Sequence, residues 1–293
     1  MRSPYRINLL LIIFFSLGLA IVLLTGTNEV LFVMINSLAV KVYPFIWANL
    51  TLLGDTLTAS VIMILFIRKR ADLVWSGIIA TITATIIVNL LKSYFDVLRP
   101  PAVIDKSMVN IIGPAIYYHS FPSGHTVTIF TLAGILIFYF QSSIGRIGLI
   151  SLAFLVGMSR IAVGVHWPAD VLAGAALGIS CATIGIFTVS KFGWNRMKTL
   201  QLVIGFILIS LNFYLLFFYD CRYAQAIYLQ NIFASSVLVT VFSLSFIDCS
   251  VAKPFTLITG LYFFISFFFI LTRIEENNSV WSLQLILMHF VLL

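Results

Sequence analysis

Charge is what this sequence has least of. Asp, Glu, Lys and Arg together make up only 9% of the 293 residues, against 61% that are hydrophobic. A water-soluble domain needs much more polar surface to cover its core, so a soluble globular protein is excluded. Cysteine is scarce as well: Cys181, Cys221 and Cys249 are odd in number and lie in or beside apolar segments, without metal-ligand spacing. That argues against a disulfide framework or a zinc module and leaves three thiols acting as small apolar groups. Histidine occurs only four times, so histidine chemistry has few places to reside.

What the sequence has instead is length in its apolar runs. Residues 8–25 and 200–219 are near the ~20 residues with which a helix crosses ~30 Å of hydrocarbon. Only structures that close their own hydrogen bonds survive there, so the expected fold is an all-α, polytopic transmembrane bundle. Spans are predicted near 8–26, 49–67, 72–92, 124–141, 146–164, 169–190, 200–219, 227–247 and 254–272. The first is read as an uncleaved span, since no small-residue cleavage site follows it cleanly. Residues 280–293 form an apolar tail that at ~1.5 Å per residue falls short of a crossing.

Between the first two spans, Leu31, Ile35, Leu38 and Val42 recur at helical spacing while Asn36, Ser37 and Lys41 lie off that stripe. The pattern predicts an amphipathic helix near 30–46, either resting on the membrane face or packed as a short core helix. Outside the motifs below, the basic residues divide unevenly between the two sides. Arg2, Arg6, Arg68, Lys69, Arg70, Arg146, Lys191, Arg196, Lys198 and Lys253 fall on one, and Lys41, Lys106, Arg222 and Arg273 on the other. The richer side is the cytoplasmic one. The net charge of +7 then records topology, and nucleic acid is not an expected partner.

Three segments carry polar chemistry, all on the opposite, outward side. In KSYFDVLRP, Lys92 and Arg99 stand seven residues apart before Pro100 and Pro101, which stop a helix. A mobile ammonium and a forked guanidinium suit a tetrahedral dianion, although both chains can also simply snorkel to the interface. PSGH at 122–125 falls at the start of the fourth span. There the helix amide groups, the Ser123 hydroxyl and the open approach over Gly124 can cradle an anion, with His125 beside it to move a proton. An ordinary helix cap by Ser123 is the alternative. SRIAVGVHWPAD at 159–170 adds Arg160 and puts His166 four residues before Asp170. With Pro168 in a first helical turn, that spacing lets the carboxylate fix one ring nitrogen and free the other to attack phosphorus. A structural His–Asp pair or two metal ligands are the competing readings, the second disfavoured by the surrounding cations.

The order Lys, six residues, Arg-Pro; then Pro-Ser-Gly-His; then Ser-Arg, five residues, His, three residues, Asp resembles the type 2 phosphatidic acid phosphatase superfamily. These are membrane lipid phosphatases related to vanadium haloperoxidases and glucose-6-phosphatase. The resemblance implies that Lys92, Arg99 and Arg160 hold phosphate oxygens, assisted by Ser123 and Gly124. It implies His166 as the nucleophile that forms a phosphohistidine, Asp170 as its orienting partner and His125 as the proton donor to the leaving group, with no metal and no cofactor.

The implied architecture is a six-helix phosphatase core over 1–198 and a further region, 199–293, of about three helices and unknown role. The expected substrate is a lipid phosphate monoester or diphosphate, such as phosphatidylglycerol phosphate, phosphatidate, undecaprenyl diphosphate or a lipid A phosphate. A lipid phosphotransferase using the same intermediate and a non-catalytic lipid-binding or transport protein are the alternatives. The expected location is a bacterial inner membrane, amino terminus in the cytoplasm and site facing the periplasm or exterior. Asp105, Lys106, Tyr117, Tyr118 and His119 of the loop before PSGH are candidate head-group contacts, and Asp55 and Asp96 candidate partners of the cations. His289, the Phe-rich stretch 263–269 and the tryptophans are read as packing or interfacial groups.

Overall fold

The computed structural model describes residues 3–105, 107–140, 142–193 and 198–247. Lys106, Cys249, His289 and the segments 254–272, 263–269 and 280–293 lie outside the described residues. Every regular element among the described residues is helical. Helix α1 (Ser3–Thr25) is followed by α2 (Asn28–Ala39), α3 (Pro44–Leu53) and α4 (Thr56–Ile62), which runs on as a 3-10 turn, Met63–Phe66. Then come α5 (Ala71–Phe95), α6 (Pro100–Val103), α7 (Gly124–Tyr139), α8 (Ser143–Ala162), α9 (Pro168–Phe192), α10 (Lys198–Phe217) and α11 (Ile227–Ile247).

Six of these helices are long and apolar enough to cross a membrane, or up to seven if the bent α2–α3 pair counts as one span. Their outward faces are greasy: Leu10, Phe14 and Leu24 on α1, Ile82 and Leu90 on α5, and Ile144 and Ile147 on α8 are all exposed. Such faces are stable only against lipid, and the chain is an integral membrane protein.

Helix α9 is the axis of the bundle, packed against α7, α5 and α1. Its small residues permit that closeness. A Cβ added at Gly174 would stand 2.9 Å from the Ser123 carbonyl, and one at Gly134 on α7 2.9 Å from the Ala182 side chain. With little hydrophobic drive between helices inside a bilayer, backbone approach of this kind is what holds them. Helix α7, only 16 residues long, is buried along most of its length by these neighbours.

Three expectations need correction. The span expected at 49–67 is broken at Gly54, after which the Asp55 carboxylate accepts from the amides of Leu57 and Thr58 and starts α4 afresh. The amphipathic helix expected near 30–46 ends at Ala39, because Tyr43 is held extended before Pro44 and that proline opens α3. Its inward face is Phe32, Asn36 and Ala39, and Leu38 is exposed. The two prolines after Arg99 do not stop a helix: α5 has already ended at Asp96 in a left-handed conformation, and Pro100 and Pro101 begin the short α6.

One compact unit runs from Met1 to Ser235 and a second begins at Ser236. The first unit takes in α10 and the start of α11. Within it, Gln230 of α11 donates to the carbonyls of Leu215 and Tyr219, and Asn212 of α10 to that of Ala234, joining the two helices as a hairpin.

Candidate active site

The end of α5, the start of α7, the end of α8 and the start of α9 meet at one end of the bundle, because successive antiparallel helices alternate direction. Each of the three sequence segments supplies one or two of those termini.

The arrangement of SRIAVGVHWPAD follows from how α8 ends. Gly164 takes φ +82°, its amide donates to Ile161, and the Val165 amide donates back to the Arg160 carbonyl. This left-handed closure reverses the chain over the last turn of α8. A Cβ at Gly164 would collide with the Asn110 carbonyl, so only glycine fits. His166 emerges directly afterwards, and α9 starts at Pro168 with Asp170 in its first turn.

His166 is 2% exposed and Asp170 1%. The His166 Nδ1 lies 3.2 Å from the Asp170 Oδ2, which also accepts from the Trp167 amide at 2.8 Å and from the Ser120 hydroxyl. On the other side of the ring, Nε2 lies 3.1 Å from the Arg99 guanidinium. An arginine can only donate, so Nε2 accepts, and the proton resides on Nδ1 facing the carboxylate. That tautomer leaves the in-plane lone pair on Nε2. Burial, then the positive charges of Arg99, Arg160 and Lys92, hold the imidazole well below the usual histidine pKa, so it is neutral at physiological pH.

Arg99 is 6% exposed and strapped in place by backbone. It donates to the carbonyls of Tyr118 at 2.8 Å, His119 at 3.3 Å and Val165 at 3.1 Å. The segments carrying these groups are zipped together, Arg99 amide to Tyr117 carbonyl and Ser120 amide to Val97 carbonyl. Arg160 is 3% exposed and reaches the Thr51 hydroxyl at 3.3 Å and the Tyr223 hydroxyl at 3.0 Å, while its Nε has no partner among the described residues. Lys92 lies within electrostatic reach of Arg99, Arg160 and Asp170, and His125 of Arg160, Lys92, Arg99 and Arg222. Ser123 stands at the N-cap position of α7 but its side chain caps nothing. Its hydroxyl accepts from Thr126 at 2.9 Å, which leaves its own proton to give. All eight sequence-selected residues thus gather at one end of the bundle.

The candidate carboxylates Asp55 and Asp96 do not join the cations. Asp55 caps α4 and accepts from the Tyr219 hydroxyl, and Asp96 pairs with His119 at 3.0 Å in an exposed position. Among the described residues, no three His, Cys, Asp or Glu side chains cluster as metal ligands would, and Cys181 and Cys221 are free thiols.

Several supporting residues were not visible in the sequence. Ser120, Thr51 and Tyr223 touch the site directly. Asn36 of α2 works from behind, donating to the carbonyls of Asn110, Ile161 and Ala162 and accepting from the Asn110 amide. On the same helix, Asn28 accepts from the Ala169 amide at the start of α9. The amphipathic helix is thus a polar brace for the end of α8 and the start of α9, with its amides turned inward.

An apolar cavity of about 490 Å³ adjoins this end of the bundle. It reaches from Thr56, Asn89 and Gly124 to Met63 and Trp75, between α4, α5, α7 and α10.

A family model described as the PAP2 superfamily matches residues 73–195. The crystallised LpxE of Aquifex aeolicus is 32% identical, over 55% of this chain and 94% of that one, with a TM-score of 0.49. The chain belongs to the PAP2 superfamily. The bacitracin transport permease protein BcrC of Bacillus licheniformis is similar to this PAP2 chain at 38% identity, over 43% of it and 60% of BcrC. The lipid A 1-phosphatase of Rhizobium etli is 33% identical, over 43% of this chain and 55% of that protein. The match thus spans a little over half the length of these two curated relatives.

Proposed function

We propose that this PAP2 protein is a membrane phosphatase that removes phosphate from a lipid phosphate monoester or diphosphate through a phosphohistidine on His166. The observation that carries the reading is the His166 ring itself, gripped by Asp170 at Nδ1 and offering Nε2 to Arg99. A histidine kept merely for structure has no need of a guanidinium at its second nitrogen. A phosphate dianion entering the site takes over the Arg99 donor at Nε2, meets the Arg160 Nε, unpartnered among the described residues, and is held by both cations, by Lys92 and by the start of α7. Release of Arg99 from Nε2 then frees the lone pair.

In the first step the Nε2 lone pair attacks phosphorus and the P–O bond to the leaving group breaks. His125, protonated once the phosphate dianion offsets the cations around it, supplies the proton that the leaving oxygen needs. Asp170 stabilises the charge that develops on the ring. Water then attacks the phosphohistidine, the P–N bond breaks, and neutral His166 returns with inorganic phosphate. The cations neutralise the phosphoryl oxygens throughout, so the proposed chemistry requires no metal.

A lipid substrate is supported by the apolar cavity beside Gly124, which can admit a hydrocarbon chain from the bilayer. It is supported too by the similarity to the lipid A 1-phosphatase of Rhizobium etli. The outward face is supported by the far end of the bundle, which carries Arg68, Lys69, Arg70, Arg146 and Lys191. Tyr5 of α1 packs edge to face against Phe138 at that same end, which puts the start of α1 there as well.

The test is phosphate release by the purified full chain from lipid A, phosphatidylglycerol phosphate, phosphatidate and undecaprenyl diphosphate, beside the His166→Ala form. Release from at least one lipid by the parent alone is expected. Absence of release from all of them contradicts the proposal, and phosphate passed to a second lipid without free phosphate identifies a transferase. For topology, a membrane-impermeant thiol reagent on intact cells should label a cysteine placed at Ser107 and spare one at Lys191. The reverse pattern would place the site in the cytoplasm.

A further inference from the structure

We infer that the connection between α10 and α11, outside the segment matched by the family model, is a working part of the anion site, with Tyr223 as a positioning residue for Arg160. The nature of the anion rests on the phosphatase reading. The contact rests on geometry alone.

Arg160 sits at the end of a helix that fixes its Cα but not the direction of its guanidinium. A long arginine stem carries about 2 kcal/mol of rotamer entropy, so a cation of this kind is aimed only if something grips its far end. The Thr51 hydroxyl is one grip at 3.3 Å, but it is shared with Ser159 at 2.8 Å. Tyr223 is the closer, at 3.0 Å. The Arg160 Nε remains unpartnered among the described residues although the side chain is 3% exposed. A buried guanidinium aimed at one end and unsatisfied in the middle is arranged for a ligand that arrives later.

Tyr223 is itself seated firmly. It is 6% exposed and packs in a cluster with Ala48, Leu52, Val163 and Val165. Gly113, at φ +84°, lies so close that an added Cβ would stand 2.7 Å from the Tyr223 ring. The hairpin that presents it is tied by Gln230 to α10 and by the Tyr219 hydroxyl to Asp55. The choice of a phenol matters chemically. A carboxylate at 223 would hold Arg160 more tightly and cancel its charge, whereas a neutral hydroxyl aims the cation and leaves the charge for phosphate.

The experiment is a double-mutant cycle on the full chain in detergent, read by calorimetric affinity for inorganic phosphate. Tyr223→Phe keeps the ring and its packing, and a thermal unfolding midpoint close to the parent's checks this. The expected loss is about tenfold in phosphate affinity for Tyr223→Phe, the scale of one hydrogen bond to a charged group. In an Arg160→Ala background the same change should alter affinity less than about twofold. A Tyr223→Leu form, lacking the ring, should match Tyr223→Phe in affinity whatever it does to stability. Parent-like phosphate affinity in Tyr223→Phe, or losses that multiply in the double variant, would overturn the inference. Lipid phosphate release is measured in parallel: a parent that binds phosphate and shows the cycle but hydrolyses nothing refutes the phosphatase reading and leaves this inference standing.

Discussion

Both ends of the bundle are rich in arginine and lysine, yet they hold them in opposite ways. At the far end Arg70 pairs with Asp72 at 3.1 Å and lies over the Tyr139 ring, Arg146 donates to the carbonyls of Ile137 and Phe140, and the Lys191 ammonium rests on Phe192. Each of these three charges has its own local partner and is at least partly exposed. At the near end Arg99 and Arg160 are almost wholly buried and share the neighbourhood of Lys92, and the carboxylate within electrostatic reach of Arg99 and Lys92, Asp170, is already engaged by three donors. Distributed, solvated cations record which side of the membrane an end occupies. Converging, desolvated and under-compensated cations are an electrostatic debt that only an incoming anion settles.

The comparison is broken most severely at His166. His166→Ala is expected to lower turnover by roughly 10⁴-fold or more, while phosphate affinity stays within about threefold of the parent, read by single-turnover kinetics and calorimetry. Next come Arg99→Lys and Arg160→Lys, which keep the charge but lose the fork. Each is expected to lower kcat/KM about 100-fold, since a point charge cannot replace two aligned donors. Ser120→Ala removes one of the donors to Asp170, and a fall in kcat of about tenfold with KM little changed is expected.

The pH dependence sharpens the same contrast. Because burial and the nearby cations depress the His166 pKa, the ring stays neutral, as the proposed nucleophile must, down to pH values below the ordinary ~6.5. On the acid side, activity should therefore fall as pH drops through that lowered value, and an acid limb of kcat/KM centred at ~6.5 or above would contradict the assignment. The smallest effect belongs to the far end: Arg70→Ala should leave activity within about twofold and cost no more than about 1 kcal/mol of stability by denaturant unfolding.

The juxtaposition of the candidate site residues was legible in the sequence because its logic is local. Arg160 and His166 are linked by one helix termination, His166 and Asp170 by one helical turn, and Ser123 and His125 by one helix start. The helices were legible too, since long apolar runs leave few alternatives inside a bilayer. What escaped came from distant parts of the chain. Thr51, Tyr223 and Asn36 meet Arg160 or its helix across more than 60 residues, and nothing local marks a threonine or tyrosine as a partner of an arginine. Hydropathy also hid the break at Gly54, because a helix that stops and restarts is as apolar as one that does not. The Gly-Asp-Thr step at 54–56, a residue that ends helices followed by a good N-cap, was the available signal. The inward face of α2 escaped since periodicity counts apolar side chains, and the one that matters most there is an amide bonded to helix carbonyls.

The most direct measurement is to trap the covalent species. The full chain, mixed with its lipid substrate carrying a radioactive phosphate and quenched within one turnover, should yield an acid-labile, base-stable phosphohistidine on the peptide that contains His166, and none from the His166→Ala form. Label on any other residue, or turnover at full rate with no label retained, would contradict His166 as the nucleophile.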